Sequence, residues 1–422
     1  REHADEFRQE HNLVLDENDE PKLSFGTAWW QAKSNQEQLL DAFAQSIVPE
    51  KSLCFFYAKE IPNVEDPRRV LIGVGRVKYV GGLVQYPMRG NGLESLLWER
   101  MVQHSIRPDF DDGFIMPYRQ IFDYLEENPD FDILPLIAFA PSEKFVQFSY
   151  GSEHVDHDGA IDSLLSLASA LQRIKEYIRG PWEKCLRWID ARLTEAWQMR
   201  GPYPGLGAAL SAFGLELGCL IAKEIEDRID PRENPWDIVD LMFEDPGAVL
   251  PHQLQGQVSG LLRRAWQQLL PERRELLELL SRFALSSEQA KLIYVKEERA
   301  RRGLELSDEE ILSNPYVIYE ATRLSAVPID LWTLDKGMLP ETSIGMEFPL
   351  PAKSAVSSGM DERRVRAITV HFLEKAADIG HTLLPQEKLI TITRDLNIQP
   401  PCEVTADTMM VAEQFFPGEI EL

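Results

Sequence analysis

The spacing of apolar residues changes near residue 157, and this change constrains the fold more than any other feature of the sequence. Before it, runs such as "SLCFFYAK" (52–59) and "RRVLIGVGRVKYV" (68–80) are rich in Val, Ile and aromatic residues, which is typical of strands. After it, segments such as "DGAIDSLLSLASALQRIKEYI" (158–178) carry apolar residues at helical spacing. The sequence therefore predicts an α+β protein, with a mixed N-terminal α/β domain that has a small curved sheet or barrel, followed by a mostly α-helical region.

Turn residues and shifts in composition divide the chain further. The predicted segments are an acidic arm (1–22), a mixed α/β domain (23–155), a helical domain (156–270), a helix-hairpin-helix-like region (271–340), a Ser/Pro/Gly-rich loop or linker (341–360) and a final helical module (361–422).

The net charge of −25 argues against a protein that coats nucleic acid with its whole surface, because affinity for phosphate depends on Lys and Arg. Between residues 260 and 305, however, the sequence contains ten Lys or Arg residues and seven Asp or Glu residues, so a local basic groove is compatible with the sequence. No apolar run approaches the ~18 residues that span a bilayer, and we expect no membrane partner.

The four cysteines lie far apart and form no C-x-x-C pair; they are Cys54, Cys185, Cys219 and Cys402. This spacing predicts neither a zinc knuckle nor a disulfide framework, and it fits a reducing cytoplasm. The sequence also lacks the G-x-x-x-x-G-K-[ST] phosphate loop, so we expect no nucleotide cofactor and no catalytic residue within these 422 residues. The close pair Gly205 and Gly207 is expected to begin a helix and to permit tight packing.

The strongest candidate for a DNA contact lies within residues 273–302. Two leucine-rich or amphipathic helices are predicted there, joined by a short turn at "FALSS" (283–287), which is the shape of a helix-hairpin-helix. In that arrangement the backbone N–H groups of the turn point at a DNA phosphate. Ser286 or Ser287 would cap the second helix. The predicted backbone contacts are Arg282, Ser286, Ser287, Gln289, Lys291 and Arg302. A simple αα-hairpin fits the same residues equally well.

A second candidate lies in the strand-like runs. Arg69, Arg76 and Lys78, next to Arg68, can present cations to phosphate, while Phe55, Phe56 and Tyr57 supply faces on which bases stack. The alternative is an ordinary sheet with one polar face and a Phe core.

Two clusters could hold a metal ion. His154 and His157, with Asp156 and Asp158, have side chains that bind divalent metals; alternatively, Asp158 caps a helix that begins at Gly159. The run "DFDDGF" contains Asp109, Asp111 and Asp112, which could form half of a nuclease carboxylate cluster, or an exposed acidic turn.

Three segments in order carry a resemblance to a known family. They are "LSRFALSSEQAKLIY" (280–294), "ILSNPYVIYEA" (311–321) and "DERRVRAITVHFLEKAADIGHTLLPQEKLI" (361–390). Together they resemble the region upstream of the motor in RecD-like superfamily 1 DNA helicases that work without RecB and RecC, over about residues 270–395. The sequence departs from the family pattern at Ala284, where the family has Gly, and at "SAVPIDLWTLDKG" (325–337), where a second hairpin is usual.

The resemblance implies a DNA-binding, non-motor region of an ATP-dependent helicase, with a winged-helix-like module at 361–422 and a motor expected beyond it. DNA, as a single strand or a duplex end, would be the partner, and ATP and Mg²⁺ would serve the full-length protein. Roles in genome maintenance or in defence against foreign DNA are compatible with it. Residue types predict that Gly380 ends one helix and that Pro385 lies in the first turn of the next. By the resemblance, this Gly380–Pro385 joint is a turn of the scaffold, braced by His381. Two alternatives stay open: an acidic platform for protein interaction or oligomerisation, and a metal-dependent nuclease at Asp109–Asp112.

Overall fold

A computed structural model of the chain describes residues 8, 13–20, 30, 32–59, 68–85, 98–107, 112–142, 155–230, 233–356, 358–413 and 416. The predicted α+β class is confirmed, because a small antiparallel sheet near the N-terminus is followed by a long series of helices. The chain forms two compact units, residues 1–193 and 194–422. The finer division into six segments stays a prediction.

The first unit contains the sheet. Its main elements are α1 (Lys33–Gln45), β1 (Leu53–Ala58), β2 (Val70–Gln85), β3 (Trp98–His104), β4 (Gly113–Ile115), α2 (Tyr118–Glu127), α3 (His157–Tyr177) and the first part of α4 (Trp182–Arg200). Strand β2 is central: β1, β3 and β4 all pair with it in antiparallel register.

Two glycines allow other backbone to approach the long strand β2 closely. A Cβ atom added at Gly75 would lie 2.8 Å from the backbone nitrogen of Ile106, and one at Gly73 would lie 2.8 Å from the carbonyl oxygen of Phe114. Residues with side chains would therefore push β4 and the preceding loop away from the strand.

The second unit is helical. After the remainder of α4, its helices are α5 (Leu206–Phe213), α6 (Gly218–Glu226), α7 (Pro235–Glu244), α8 (Pro246–Val249), α9 (His252–Gln255), α10 (Gly260–Gln267), α11 (Pro271–Ser281), α12 (Ser287–Tyr294), α13 (Lys296–Arg301), α14 (Asp308–Ser313), α15 (Val317–Thr322), α16 (Leu331–Met338), α17 (Thr342–Glu347), α18 (Glu362–Asp378), α19 (Gln386–Arg394) and α20 (Ala406–Ala412). One continuous apolar core joins residues from Leu206 to Ala412. Within the described residues, no helix is both long and apolar enough to cross a bilayer.

The Ser/Pro/Gly-rich stretch 341–360, predicted as a loop or linker, keeps most of its described residues exposed or half-buried. It begins with helix α17, and Ser354 is fully buried. The Ser354 hydroxyl donates to the carbonyl oxygen of Leu312 at 2.7 Å, and Gly359 O accepts from Arg364 Nη1 at 3.0 Å. Hydrogen bonds with residues of α14 and α18 thus hold parts of this segment in place.

The joint after α18 has the predicted glycine-terminated form. Gly380 has a φ of +88°, and its N–H donates to Ala377 O at 2.8 Å, while His381 N–H donates to Ala376 O at 2.9 Å. These two bonds form a Schellman motif, which ends a helix at a left-handed residue. The His381 backbone therefore braces the turn. Pro385 occupies the N-cap position of α19, one residue before the predicted first turn.

Candidate nucleic-acid interface

The predicted pair of helices exists as α11 and α12, joined by residues 282–286. Ser286 caps α12: its hydroxyl accepts from the Gln289 N–H at 3.2 Å, and the Gln289 side-chain oxygen accepts from the Ser286 N–H at 2.9 Å. This reciprocal pair is a capping box, which satisfies two N–H groups that a helix start leaves open. Of the two serines predicted as caps, Ser286 is the one that caps.

The turn between these helices lies in the interior of the second unit. Ser281 and Phe283 are fully buried, and two glycines pack on them. Gly205 N–H donates to Ser281 O at 2.8 Å, and a Cβ atom on Gly205 would lie 2.0 Å from Phe283 O. A Cβ atom on Gly337 would lie 2.4 Å from the Phe283 ring. The prediction that Gly205 begins a helix and permits tight packing is confirmed, and its packing partner is this turn.

The turn's N–H groups are used within the protein. Arg282 N–H donates to Leu279 O at 3.1 Å, Phe283 N–H to Leu280 O at 3.2 Å, and Leu285 N–H to Phe283 O at 2.7 Å. These three N–H groups are therefore used in packing, and a contact of this turn with a DNA phosphate stays a prediction.

Arg282, expected at the surface, is also interior, with 2 % of its surface exposed. Its Nη2 donates to Phe348 O at 2.7 Å, and its guanidinium lies over the Tyr203 ring at 5.4 Å from the centroid. Burial lowers the pKa of this guanidinium, because the charged form is desolvated. Arg282 therefore anchors the segment after α17, and its predicted surface position is corrected.

The other hairpin residues differ in accessibility. Gln289 donates to Pro328 O at 2.7 Å, so its amide is used in packing. Ser287 is half-buried, with its hydroxyl 3.9 Å from Cys219 Sγ. Lys291 is exposed, and Arg302 is exposed and paired with Glu288 at 3.3 Å.

The basic surplus of the 260–305 window does not become a basic surface. Five of its ten cations are held by internal partners: Arg263, Arg273, Arg274, Arg282 and Arg299. Asp240 pairs with Arg274 at 2.6 Å, and Asp308 pairs with both Arg273 and Arg299. A count of charges along the sequence therefore overestimates the positive charge that solvent meets here.

Residues of the Asn-Pro-Tyr and Arg-x-Arg-Ala motifs meet in a buried network around Asp335. The Tyr316 hydroxyl donates to Asp335 Oδ1 at 2.7 Å, while Arg364 Nε and Nη2 donate to the two carboxylate oxygens at 2.8 and 2.7 Å. Burial opposes the charge on Arg364, but Asp335 raises its pKa; burial also raises the pKa of Tyr316 well above its usual value. Asp335 stands in the stretch that departs from the family pattern, and sequence analysis missed it.

A second set of contacts joins the same two motif helices, α15 and α18. Arg366 Nε donates to Glu320 Oε1 at 2.9 Å, and Arg323 Nε donates to Glu374 Oε1 at 2.6 Å. The hydroxyl of Tyr319 lies 3.1 Å from His371 Nδ1. The motif residues are therefore mainly internal ties between helices.

The cations predicted as DNA contacts on the sheet, and their neighbour Arg68, also interact with other groups of the protein. Arg76 is buried and donates through Nη1 to Lys51 O, so its expected exposure is corrected. Lys78 Nζ donates to Asp112 Oδ2 at 2.6 Å and to Glu50 Oε2 at 3.0 Å, and these bonds raise its pKa. Arg69 is half-buried, and the guanidinium of its neighbour Arg68 stacks over Phe139 at 3.7 Å from the centroid.

The predicted stacking residues of β1 differ in solvent exposure. Phe56 is exposed and meets His104 edge to face, with 4.7 Å between ring centroids, while Phe55 and Tyr57 are half-buried. Phe56 is therefore the member of this trio that presents an aromatic side chain to solvent.

Within the described residues no group of three metal-binding side chains is found, but both predicted metal clusters include residues outside that range and stay predictions. Burial opposes the charge on Asp112, but hydrogen bonds from Lys78 and Trp188 outweigh it and lower its pKa. Asp156, not Asp158, caps α3 by accepting from Gly159 N–H at 2.6 Å, and His157 is the first residue of that helix. His154, Asp109 and Asp111 lie outside the described residues.

No family model, curated protein or solved structure matched the chain.

Proposed function

We propose that this chain is the DNA-handling, non-motor region of a RecD-like ATP-dependent DNA helicase. In this proposal residues 270–395 form the helical module that precedes the motor, and DNA is its partner. ATP and Mg²⁺ belong to the motor of such a helicase and not to residues 1–422. Participation in genome maintenance or in defence against foreign DNA belongs to the same proposal.

The observation that supports the proposal is the convergence of the motif residues. Tyr316 and Arg364, from motif segments about fifty residues apart, share Asp335. Gln289 of the hairpin motif reaches Pro328 in the segment that carries Asp335. The segments that resemble one family, in the family's order along the chain, are thus also joined by hydrogen bonds. A chance series of short matches need not be joined in this way.

The proposal predicts DNA binding that weakens steeply with salt. If the chain holds DNA through exposed Lys and Arg residues, the logarithm of affinity should fall linearly with the logarithm of salt concentration, by about 0.7 per phosphate contact on single strands and about 0.9 on duplex. Fluorescence anisotropy with labelled single-stranded and duplex oligonucleotides measures this slope. No binding at about 50 mM salt would contradict the proposal.

A second prediction concerns nucleotide hydrolysis. The purified chain should hydrolyse ATP no faster than background, because it contains no phosphate loop and no Mg²⁺-binding partner for one. A coupled assay with and without DNA measures this. Hydrolysis that a substitution within residues 1–422 abolishes would contradict the proposed location of the motor.

An acidic platform for protein interaction or oligomerisation remains the second candidate. The observation that favours it is an exposed apolar group on the β2–β3 ribbon, where Tyr79, Val84 and Met101 are each about half exposed. The side chains of Tyr79 and Met101 both lie within 4 Å of a Cβ atom built on Gly81, so they are neighbours. This candidate predicts self-association or partner binding that survives salt, together with no affinity for DNA.

A further inference from the structure

The turn between α13 and α14 is exposed to solvent, unlike the α11–α12 turn. Its Gly303 has a φ of +70°, and a Cβ atom built there would meet nothing within 4 Å. Gly303 N–H donates to Ala300 O at 3.1 Å and Leu304 N–H to Arg299 O at 2.9 Å, so the turn is held by its own backbone. The turn is therefore held by backbone hydrogen bonds, and its glycine is exposed.

Two long cationic side chains precede Gly303 at this turn, and the exposed carboxylate of Glu305 follows it. The Arg301 side chain is 67 % exposed and that of Arg302 is 37 % exposed. Lys291 lies three residues after Glu288 on α12, and therefore on the same helical face as the carboxylate that pairs with Arg302. Lys291 forms no ion pair with any residue in the described part of the chain.

The carboxylates beside these arginines form exchangeable pairs. Arg301 pairs with Glu298 three residues earlier in the same helix, and Arg302 pairs with Glu288 at 3.3 Å. Exposed ion pairs of this kind contribute little to stability, and a phosphate can replace a carboxylate as the partner of a guanidinium. By contrast, Arg299 is buried and bound to Asp308, so it takes no part.

We propose that the Arg301–Arg302–Gly303 turn, with Lys291 beside it, is the element of this chain that contacts the phosphates of a DNA backbone. This inference rests on the proposed function and assigns the contact to a different turn from the one that the motif resemblance indicates. Recognition would be independent of base sequence, because guanidinium and ammonium groups would meet phosphate oxygens alone.

The test compares two double variants of equal charge. Arg301→Gln with Arg302→Gln removes two cations at the turn, and Arg264→Gln with Lys388→Gln removes two exposed cations elsewhere in the second unit. The turn variant should lower the salt slope on single strands by about 1.4 and reduce affinity by roughly 10- to 30-fold near 0.1 M salt, since each lost contact removes about 0.7. The control variant should keep the wild-type slope.

The outcomes separate this inference from the function on which it rests. Urea unfolding should show both variants as stable as the wild type, since only exposed groups change. DNA binding that falls equally in both variants, or in neither, overturns the contact at this turn but leaves the DNA-handling function standing. Absence of DNA binding in the wild-type chain overturns both.

Discussion

Replacing Arg364 by alanine is expected to lower the free energy of unfolding of this protein by about 3–5 kcal/mol. Arg364 is fully buried and donates two hydrogen bonds to Asp335, which is itself buried. Without the guanidinium, the Asp335 carboxylate stays in the interior with Tyr316 as its remaining described donor. Urea denaturation followed by circular dichroism measures the loss.

Two comparisons make this result specific. Arg394→Ala removes an exposed arginine at the end of α19 and should change the stability by less than about 0.5 kcal/mol. Adding Asp335→Asn to Arg364→Ala removes the uncompensated charge and should recover part of the loss. Equal stability of Arg364→Ala and the wild type would show that the network is not formed in solution.

Replacing Gly205 by alanine is expected to destabilise the second unit by about 1–3 kcal/mol, or to displace the α11–α12 turn. The new methyl carbon would lie 2.0 Å from Phe283 O and 3.1 Å from Leu280 O. Both are backbone atoms, which cannot rotate away as a side chain can. Thermal unfolding and urea denaturation measure the cost.

Gly256→Ala is the matched control. A Cβ atom at Gly256 meets nothing within 4 Å, and its φ of −62° is one that alanine adopts readily. This change should be neutral or stabilise by about 0.4–1 kcal/mol, because alanine restricts the unfolded chain. If both glycine variants behave alike, the contact between Gly205 and the turn is not a determinant of stability.

Local signals in the sequence were sufficient for much of the fold. The α+β class followed from the change of apolar period, and the Ser286 cap and the Gly380 helix end followed from residue types that favour those positions. These features depend on neighbours within about five residues, so they can be predicted from the linear sequence.

The candidate site depended on burial, which the linear pattern does not contain. Arg282 and Arg301 both stand in the basic window, yet the first is interior and the second is exposed. Asp335 is one of two aspartates in "SAVPIDLWTLDKG", and its partner Arg364 lies 29 residues away. Charge counts cannot distinguish a cation that ties helices together from one that meets solvent.

The ties that α18 makes to earlier helices determine how the C-terminal residues can be handled experimentally. Arg364 needs Asp335 and the carbonyl oxygen of Gly359, and Arg366 needs Glu320, so residues 361–413 cannot satisfy their own buried charges as a separate fragment. The Ser/Pro/Gly-rich segment is a natural place to cut a sequence into expression fragments, but it is part of this packing. The second unit should therefore open and close as a single cooperative block in hydrogen exchange, with α15, α16 and α18 protected together.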